Sequence, residues 1–494
     1  MAGDTPAPRR DPRVAIVGAG MSGLLAGIEL RRAGVESFTI FEKERDVGGT
    51  WRDNRYPGLT CDVPSLLYTY SFELSPEWSR RYPSGAEIHA YFRRVATKYE
   101  LARNVRLGAE VTSVSWDGAR WRVATASGEV ATFDFVIAAC GALHRPRLPE
   151  IEGLASFGGE AFHTARWPDG LDLAGRRVGI VGTGSTAAQV VPEVAKVATR
   201  LTVFQRTAQW MFPMANPPAS ARGRALLTRH PRLLRLRHEL WRVGFELGAH
   251  AQLGNRPLLA WIDWRCRRNL AQVRDPELRR ELTPTYRAGC KRLVISEGFY
   301  PAIQRDNVLL VTEPIRRVVA AGVETGAGEL HPLDALILAT GFDAHAYVRP
   351  TRVTGAGGAT LDELWRDGVF AYRTVAMPGF PNFFFLIGPH SPIGNYSVIS
   401  VAEVQMRYVM EWIERWRRGT FASTSPTADA TRRFNERLRA AFRGTIWVSG
   451  CKSWYLDRHG NPVLWPWPLA ELRRQLRHPV LDDFELTPVT EARP

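Results

Sequence analysis

The sequence predicts an α/β fold built from two Rossmann-like dinucleotide-binding units, the second carrying a helical insertion. Residues Arg13 to Val17 form a short apolar run that leads into GAGMSG, then a helical stretch from Leu24 to Arg32 and a second apolar run from Ser37 to Phe41. The same order returns at Arg177 to Val181, GTGSTA, the helical stretch Ala188 to Val197 and the run Leu201 to Phe204. Strand, glycine turn, helix and strand are the parts of one nucleotide-binding unit. The chain holds the set twice.

In the first turn Gly18, Gly20 and Gly23 fit GxGxxG. Gly18 permits the tight turn, Gly20 lets the backbone approach a pyrophosphate, and Gly23 lets helix and strand pack closely. Glu42 ends the second strand 19 residues beyond Gly23, where a carboxylate accepts hydrogen bonds from ribose hydroxyls. In the second turn Gly182, Gly184 and Ala187 fit the GxGxxA variant, and Arg206 stands at the same 19-residue offset. A carboxylate there would repel a ribose 2'-phosphate, whereas a guanidinium pairs with it. The second unit is therefore expected to take NADPH; the alternative is a plain surface arginine.

At 494 residues the chain exceeds one hydrophobic core and should hold about two to four domains. The expected division is a first nucleotide-binding part over 1–147, the second unit over 148–335 with its insertion at about 216–284, and a return to the first domain over 336–494. The insertion is arginine-rich, with leucine and tryptophan at helical spacing in HPRLLRLRHELWRVGFELGAH. A helix packed on its domain with a solvated arginine face is expected, and a membrane-surface helix is the alternative.

Hydrophobic residues make up 45% and charged residues 23%, as in folded globular proteins. The N-terminal MAGDTPAPRRDP has no apolar signal core, and no stretch approaches ~18 apolar residues, so a cytoplasmic protein without transmembrane segment is expected. The net charge of +15 is a diffuse arginine excess and argues against nucleic acid as partner. Cys61, Cys140, Cys266, Cys290 and Cys451 are scattered without a CxxC pair, and the eleven histidines form no HxH or HExxH. Reduced cysteines and no metal site are expected. Nothing here fixes an oligomeric state.

Four further segments narrow the chemistry. Gly48, Gly49, Thr50 and Trp51 form GGTW, followed by RYPGLTCDVPSLLYTYSF; Phe157, Gly159, His163, Trp167 and Pro168 give FxGxxxHxxxWP; and Ala339 to Phe342 give ATGF. Together these resemble the type I Baeyer-Villiger monooxygenases of the flavin-containing monooxygenase superfamily, from about Arg13 to the end of the chain. Relatives that oxygenate nitrogen or sulfur usually carry Tyr or Phe where Trp167-Pro168 stand.

The resemblance implies FAD in the first unit, NADPH in the second, and oxygen insertion beside a ketone carbonyl through a C4a-peroxyflavin, giving an ester or lactone. GCKRLVISEGFYPAIQRDNV is similar to the family segment whose arginine steadies the developing charge; here that is Arg292, with Asp62 as the acid that orients it. Lys291 matches a second contact to the 2'-phosphate, His163 a residue of domain movement, and Trp454 a tryptophan over the nicotinamide. After Trp454 the chain departs from the family's glycine- and asparagine-rich loop, reading YLDRHGNPVLWPWP. Trp51, Tyr56 and Tyr68 match segments flanking the flavin ring. Further implied cofactor contacts are Ser22, Lys43, Gly49, Thr50 and Val111 in the first unit, Ser185, Thr186, Gln189 and Thr207 in the second, and Thr340 and Gly341.

Three alternatives stand beside this. An amine- or sulfide-oxygenating flavin enzyme would not need the Asp62 and Arg292 pair. A pyridine nucleotide-disulfide reductase would need two closely spaced redox cysteines. A non-catalytic flavin-binding protein would not need intact fingerprints.

Overall fold

The computed structural model describes residues 11–489; residues 1–10 of the stretch read above for a signal core lie outside them. Its frame is a duplication. In one five-stranded sheet the order is Phe383–Phe385, Phe135–Ala138, Val14–Val17, Phe38–Phe41, Val105–Arg106, and in the other Glu160–His163, Ala335–Leu338, Arg177–Val181, Arg200–Phe204, Val308–Val311. Every neighbouring pair in both sheets is parallel. The first strand of each glycine unit is central, and Val14, Ala15, Ile16, Val178 and Ile180 have no exposed surface. Strands covered on both faces read as continuous apolar runs, which is why they were legible.

An antiparallel meander, in a sheet of its own, precedes the strand Phe135–Ala138 in the first unit and Ala335–Leu338 in the second, and Arg352–Thr354 adds a parallel fourth strand to the first meander. The first spans Val111–Trp116, Trp121–Thr125 and Val130–Phe133; the second spans Ile315–Val319, Gly322–Thr325 and Leu330–Pro332. The glycine units therefore repeat as part of a larger element. The segment FGGEAFH is not a free linker: Glu160–His163 is the edge strand of the second sheet, paired with Ala335–Leu338. A side chain at Gly159 would lie 2.3 Å from the Asp334 carbonyl. Ala335–Leu338 belongs to the second sheet, between Glu160–His163 and Arg177–Val181.

The helices that follow the glycine turns begin earlier than hydrophobic periodicity suggests, α1 at Met21–Arg32 and α2 at Ser185–Val194. Each starts directly after the second glycine. Gly18 and Gly182 hold φ of +102° and +112°, and a Cβ on either would press on the carbonyl of Ala139 or Ala339 at the end of the adjoining strand segment. The stretch read as an insertion forms α3 (Ala221–Arg229), α4 (Pro231–Ala249), α5 (Arg256–Leu270) and α6 (Pro276–Glu281).

The expectation of five reduced cysteines is corrected. Cys290 and Cys451 form a disulfide across 161 residues, with Cα atoms 6.2 Å apart, while Cys61, Cys140 and Cys266 are free. No local spacing could have shown a pair that only the folded chain brings together.

Gly23 gives the sharpest test of this frame, since a Cβ there would sit 1.8 Å from the Gly18 carbonyl oxygen. Gly23→Ala is expected to cost about 1–3 kcal/mol of stability, read from denaturant unfolding. Unchanged stability would contradict the close helix-to-turn packing.

Candidate active site

Two helix N-termini are prepared for anions. Among the described residues six helices begin at a Ser, Thr, Asn or Asp whose side chain accepts a first-turn N–H, including those starting after Ser84, Ser220 and Asn255. The N-caps of α1 and α2 are Gly20 and Gly184, with no side-chain cap. Their first-turn N–H groups are left for a ligand, and a helix N-terminus favours negative charge there. A Cβ on Gly184 would meet nothing within 4 Å, and one on Gly20 would meet only Gly49, its nearest atom 3.6 Å away. The cradles fit pyrophosphates.

Around the first cradle Ser22 is buried in α1 and Gly49 caps the short helix Thr50–Asp53. Glu42 is buried; its carboxylate accepts the N–H of Ala19 at 2.8 Å and of Glu44 at 3.0 Å and pairs with Arg52 at 3.2 Å. A carboxylate offers about four acceptor sites, so one remains for a ribose hydroxyl. Lys43 is exposed beside it. Thr50 donates to the Leu143 carbonyl at a long 3.4 Å, the Trp51 indole donates to the Tyr68 hydroxyl at 3.0 Å, and their rings meet edge to face. Val111 is buried at the start of the first meander, where its carbonyl accepts from Thr351.

Around the second cradle Ser185 and Thr186 open α2, and the Thr207 carbonyl accepts from Thr183 at 2.9 Å. Lys291 lies over the Tyr286 ring at 4.4 Å. Its pKa is lowered, first by burial and then by the charge of Arg206. Sequence reasoning placed these two cations on one phosphate, and the fold brings them into each other's field. Among the described residues neither has a carboxylate partner. Two cations held together without an acid fit a doubly charged phosphate.

Gln189 does something other than expected. Its amide oxygen accepts from the Tyr56 hydroxyl at 3.1 Å and the Thr60 N–H at 3.4 Å, and its nitrogen donates to the Thr60 carbonyl and hydroxyl at 3.0 and 3.2 Å. Every valence of the amide is used, so it ties the second domain to the loop 56–60 of the first. Gly58 lies in the same seam: at φ +81° its missing side chain clears the Gln189 carbonyl, 2.5 Å from where a Cβ would be. Burial pushes the Tyr56 hydroxyl up to about 12, which keeps it a neutral donor.

This seam delivers Asp62 to Arg292. The guanidinium donates to the Asp62 carboxylate and, at 3.3 Å, to the Ile393 carbonyl; the two side chains are 30% and 25% exposed. The charge of Asp62 is the main cause that raises the Arg292 pKa above its ordinary value, against the opposing pull of burial, and the Tyr455 hydroxyl is a third partner. Tyr455, buried, is the residue that sequence reasoning missed. Trp454 beside it is 36% exposed and touches the Tyr455 ring at 4.5 Å; the pair alternates outward and inward. The disulfide joins the same two segments of the site, since Cys290 precedes Lys291 and Cys451 lies three residues before Trp454.

His163 stands apart from this group. Nδ1 accepts the Ala165 N–H at 3.1 Å and Nε2 faces the Gly341 carbonyl at 3.0 Å, so the ring carries its proton on Nε2. Burial lowers its pKa and keeps it neutral. With both nitrogens held by backbone, it joins the edge strand of the second sheet to Gly341 and has no free valence for proton transfer. Thr340, in the same turn, donates to the Arg147 carbonyl at 2.6 Å.

Known proteins resemble this chain over most of its length. A family model described as "Pyridine nucleotide-disulphide oxidoreductase" matches residues 15–226; that stretch holds both glycine turns, and the disulfide lies outside it. An uncharacterized monooxygenase of Mycobacterium tuberculosis is 48% identical, over 97% of this chain and 96% of the relative. A Baeyer-Villiger monooxygenase of Streptomyces coelicolor is 39% identical, over 96% of this chain and 92% of its own. The crystal structure of OTEMO in complex with FAD and NADP superposes with a TM-score of 0.87 at 28% identity, over 97% of this chain and 100% of that one.

The phosphate pair makes a pH-dependent prediction. Lysine binds phosphate when protonated, and a lowered pKa means that Lys291 loses its charge at a lower pH than an ordinary lysine. The KM for NADPH is expected to rise on the alkaline side in the wild type and to stay flat in Lys291→Arg, while Arg206→Ala raises it about 10- to 100-fold, equivalent to about 1.4–2.7 kcal/mol. An Arg206→Ala enzyme with unchanged preference for NADPH over NADH would contradict the assignment. By sequence over nearly its full length, and with a fold to match, this chain belongs to the Baeyer-Villiger monooxygenases.

Proposed function

We propose that this enzyme uses FAD and NADPH to insert one oxygen atom of O2 beside a ketone carbonyl, giving an ester or lactone, and that Arg292 with Asp62 carries the chemistry. The observation behind this reading is the Asp62–Arg292 pair held where loop 56–62 of the first domain meets the segment 290–292. FAD would rest on the N-terminus of α1 with Glu42 at its ribose, and NADPH on the N-terminus of α2 with Arg206 and Lys291 at its 2'-phosphate. When bound, the reduced flavin supplies electrons to activate O2.

The protein's part is electrostatic. A guanidinium stays protonated at any working pH and has five N–H groups; Asp62, Ile393 and Tyr455 account for three partners. The remaining donors can meet the negative charge that grows on a ketone oxygen as it is attacked. Fixed donors of this kind need no rearrangement when the charge appears, which is how they lower a barrier. Asp62 keeps the guanidinium in place by accepting one of its N–H groups. Oxygenation of an amine or sulfide builds no such oxyanion and leaves the pair without a task.

Arg292→Ala is expected to keep NADPH-dependent flavin reduction and to lose ester formation by at least about 100-fold, the scale of removing an oxyanion donor. Stopped-flow absorbance reads the first and mass spectrometry over a ketone panel the second. Ester formation near the wild-type rate, or sulfoxide as the sole product of the wild type, would overturn the proposal.

A further inference from the structure

The outer face of the insertion helix α4 has no use in the site just described. Leu236, Leu240, Val243 and Leu247 are 45–64% exposed. Their spacing of four, three and four residues puts them on one line along about 16 Å of helix. Arg232 and Arg235 flank the line on one side and Arg237 on the other, all exposed. The inner face is committed: Leu234 and His238 are buried, His238 Nδ1 meets the Leu66 carbonyl at 2.7 Å, and Glu246 pairs with Arg473 at 2.6 Å. The stripe is therefore not a misplaced core face. The helix is packed on its domain with exposed arginines, as expected from the sequence, and between them runs an apolar line.

Charge selects what covers it. Between residues 222 and 268 the chain has eleven arginines, no lysine and three carboxylates. A second copy of this chain laid on the stripe would bring arginine rims together, which costs energy through like-charge contact. Nucleic acid would satisfy the arginines and leave the leucines in water. An anionic bilayer satisfies both, since the leucines enter the acyl boundary and the arginines reach lipid phosphates. Trp261 and Trp264 on α5, about half exposed and each with an arginine against its ring, are the residue type that settles at the headgroup level. No described helix is long and apolar enough to cross a membrane, so the contact lies on the surface.

We infer that α4 seats the enzyme on an anionic lipid surface. Its inner face touches Leu66, four residues from Asp62, so docking brings the loop that carries Asp62 to within one helix of the bilayer. If the oxygenation reading holds, the substrates are ketones dissolved in the lipid phase; the docking itself does not depend on that reading.

The test is co-sedimentation of the holoenzyme with phosphatidylcholine vesicles with and without phosphatidylglycerol, read together with NADPH oxidation in solution. Wild type is expected to bind the anionic vesicles and to be released by salt. Leu236→Asp with Leu240→Asp, and separately Arg232→Glu with Arg235→Glu, should each lower the partition roughly tenfold or more with NADPH oxidation unchanged. Absence of vesicle binding by the wild type, binding unaltered in both variants, or a dimer that the leucine variant dissociates without any lipid binding would overturn the proposal.

Discussion

A guanidinium taken partly out of water has to be met by a carboxylate and by hydrogen-bond acceptors, or the surrounding fold becomes unstable. Here the acid and the base sit 230 residues apart, Asp62 on a loop of the first domain and Arg292 on a segment that follows the insertion of the second. The pair forms only when the domains meet in one relative position. Gln189 and Gly58 fix that position along the seam, Tyr455 and Ile393 complete the shell of the arginine, and the Cys290–Cys451 disulfide fastens the C-terminal segment beside it.

The duplicated architecture explains how one chain serves two dinucleotides. Both sheets place a glycine turn after the central strand and an uncapped helix after the turn, so both offer the same welcome to a pyrophosphate. What differs is the end of the second strand, a buried carboxylate at Glu42 and a cation at Arg206. On the function proposed above, ligand identity rests on these positions and reaction type on the seam between the domains.

Legibility in the sequence followed the range of the interaction. The glycine turns, the central strands and the insertion are local patterns, and they stand where spacing put them. Asp62, Arg292 and Lys291 came from resemblance, and the fold brings the first two into contact and sets the third beside Arg206. Interactions between distant segments were not readable. The meanders have short strands of mixed polarity, Cys290 and Cys451 are joined only by folding, and Gln189 had nothing to mark it as an inter-domain tie. Tyr455 follows a tryptophan that drew attention for its family position, and no local pattern marked it. Leucines on α4 were visible as a periodicity, but whether they faced protein or solvent depended on Leu66 and Arg473, far away in the chain.

If Asp62 and Arg292 act as one electrostatic unit, their substitutions must not be independent. The direct measurement is a double-mutant cycle of Asp62→Asn and Arg292→Lys on the rate of ester formation per enzyme-bound flavin. Each change alone should slow the reaction, and the double variant should be much less impaired than the product of the two, with a coupling of about 1–3 kcal/mol. Rates that simply multiply would show two separate contributions and would contradict the account.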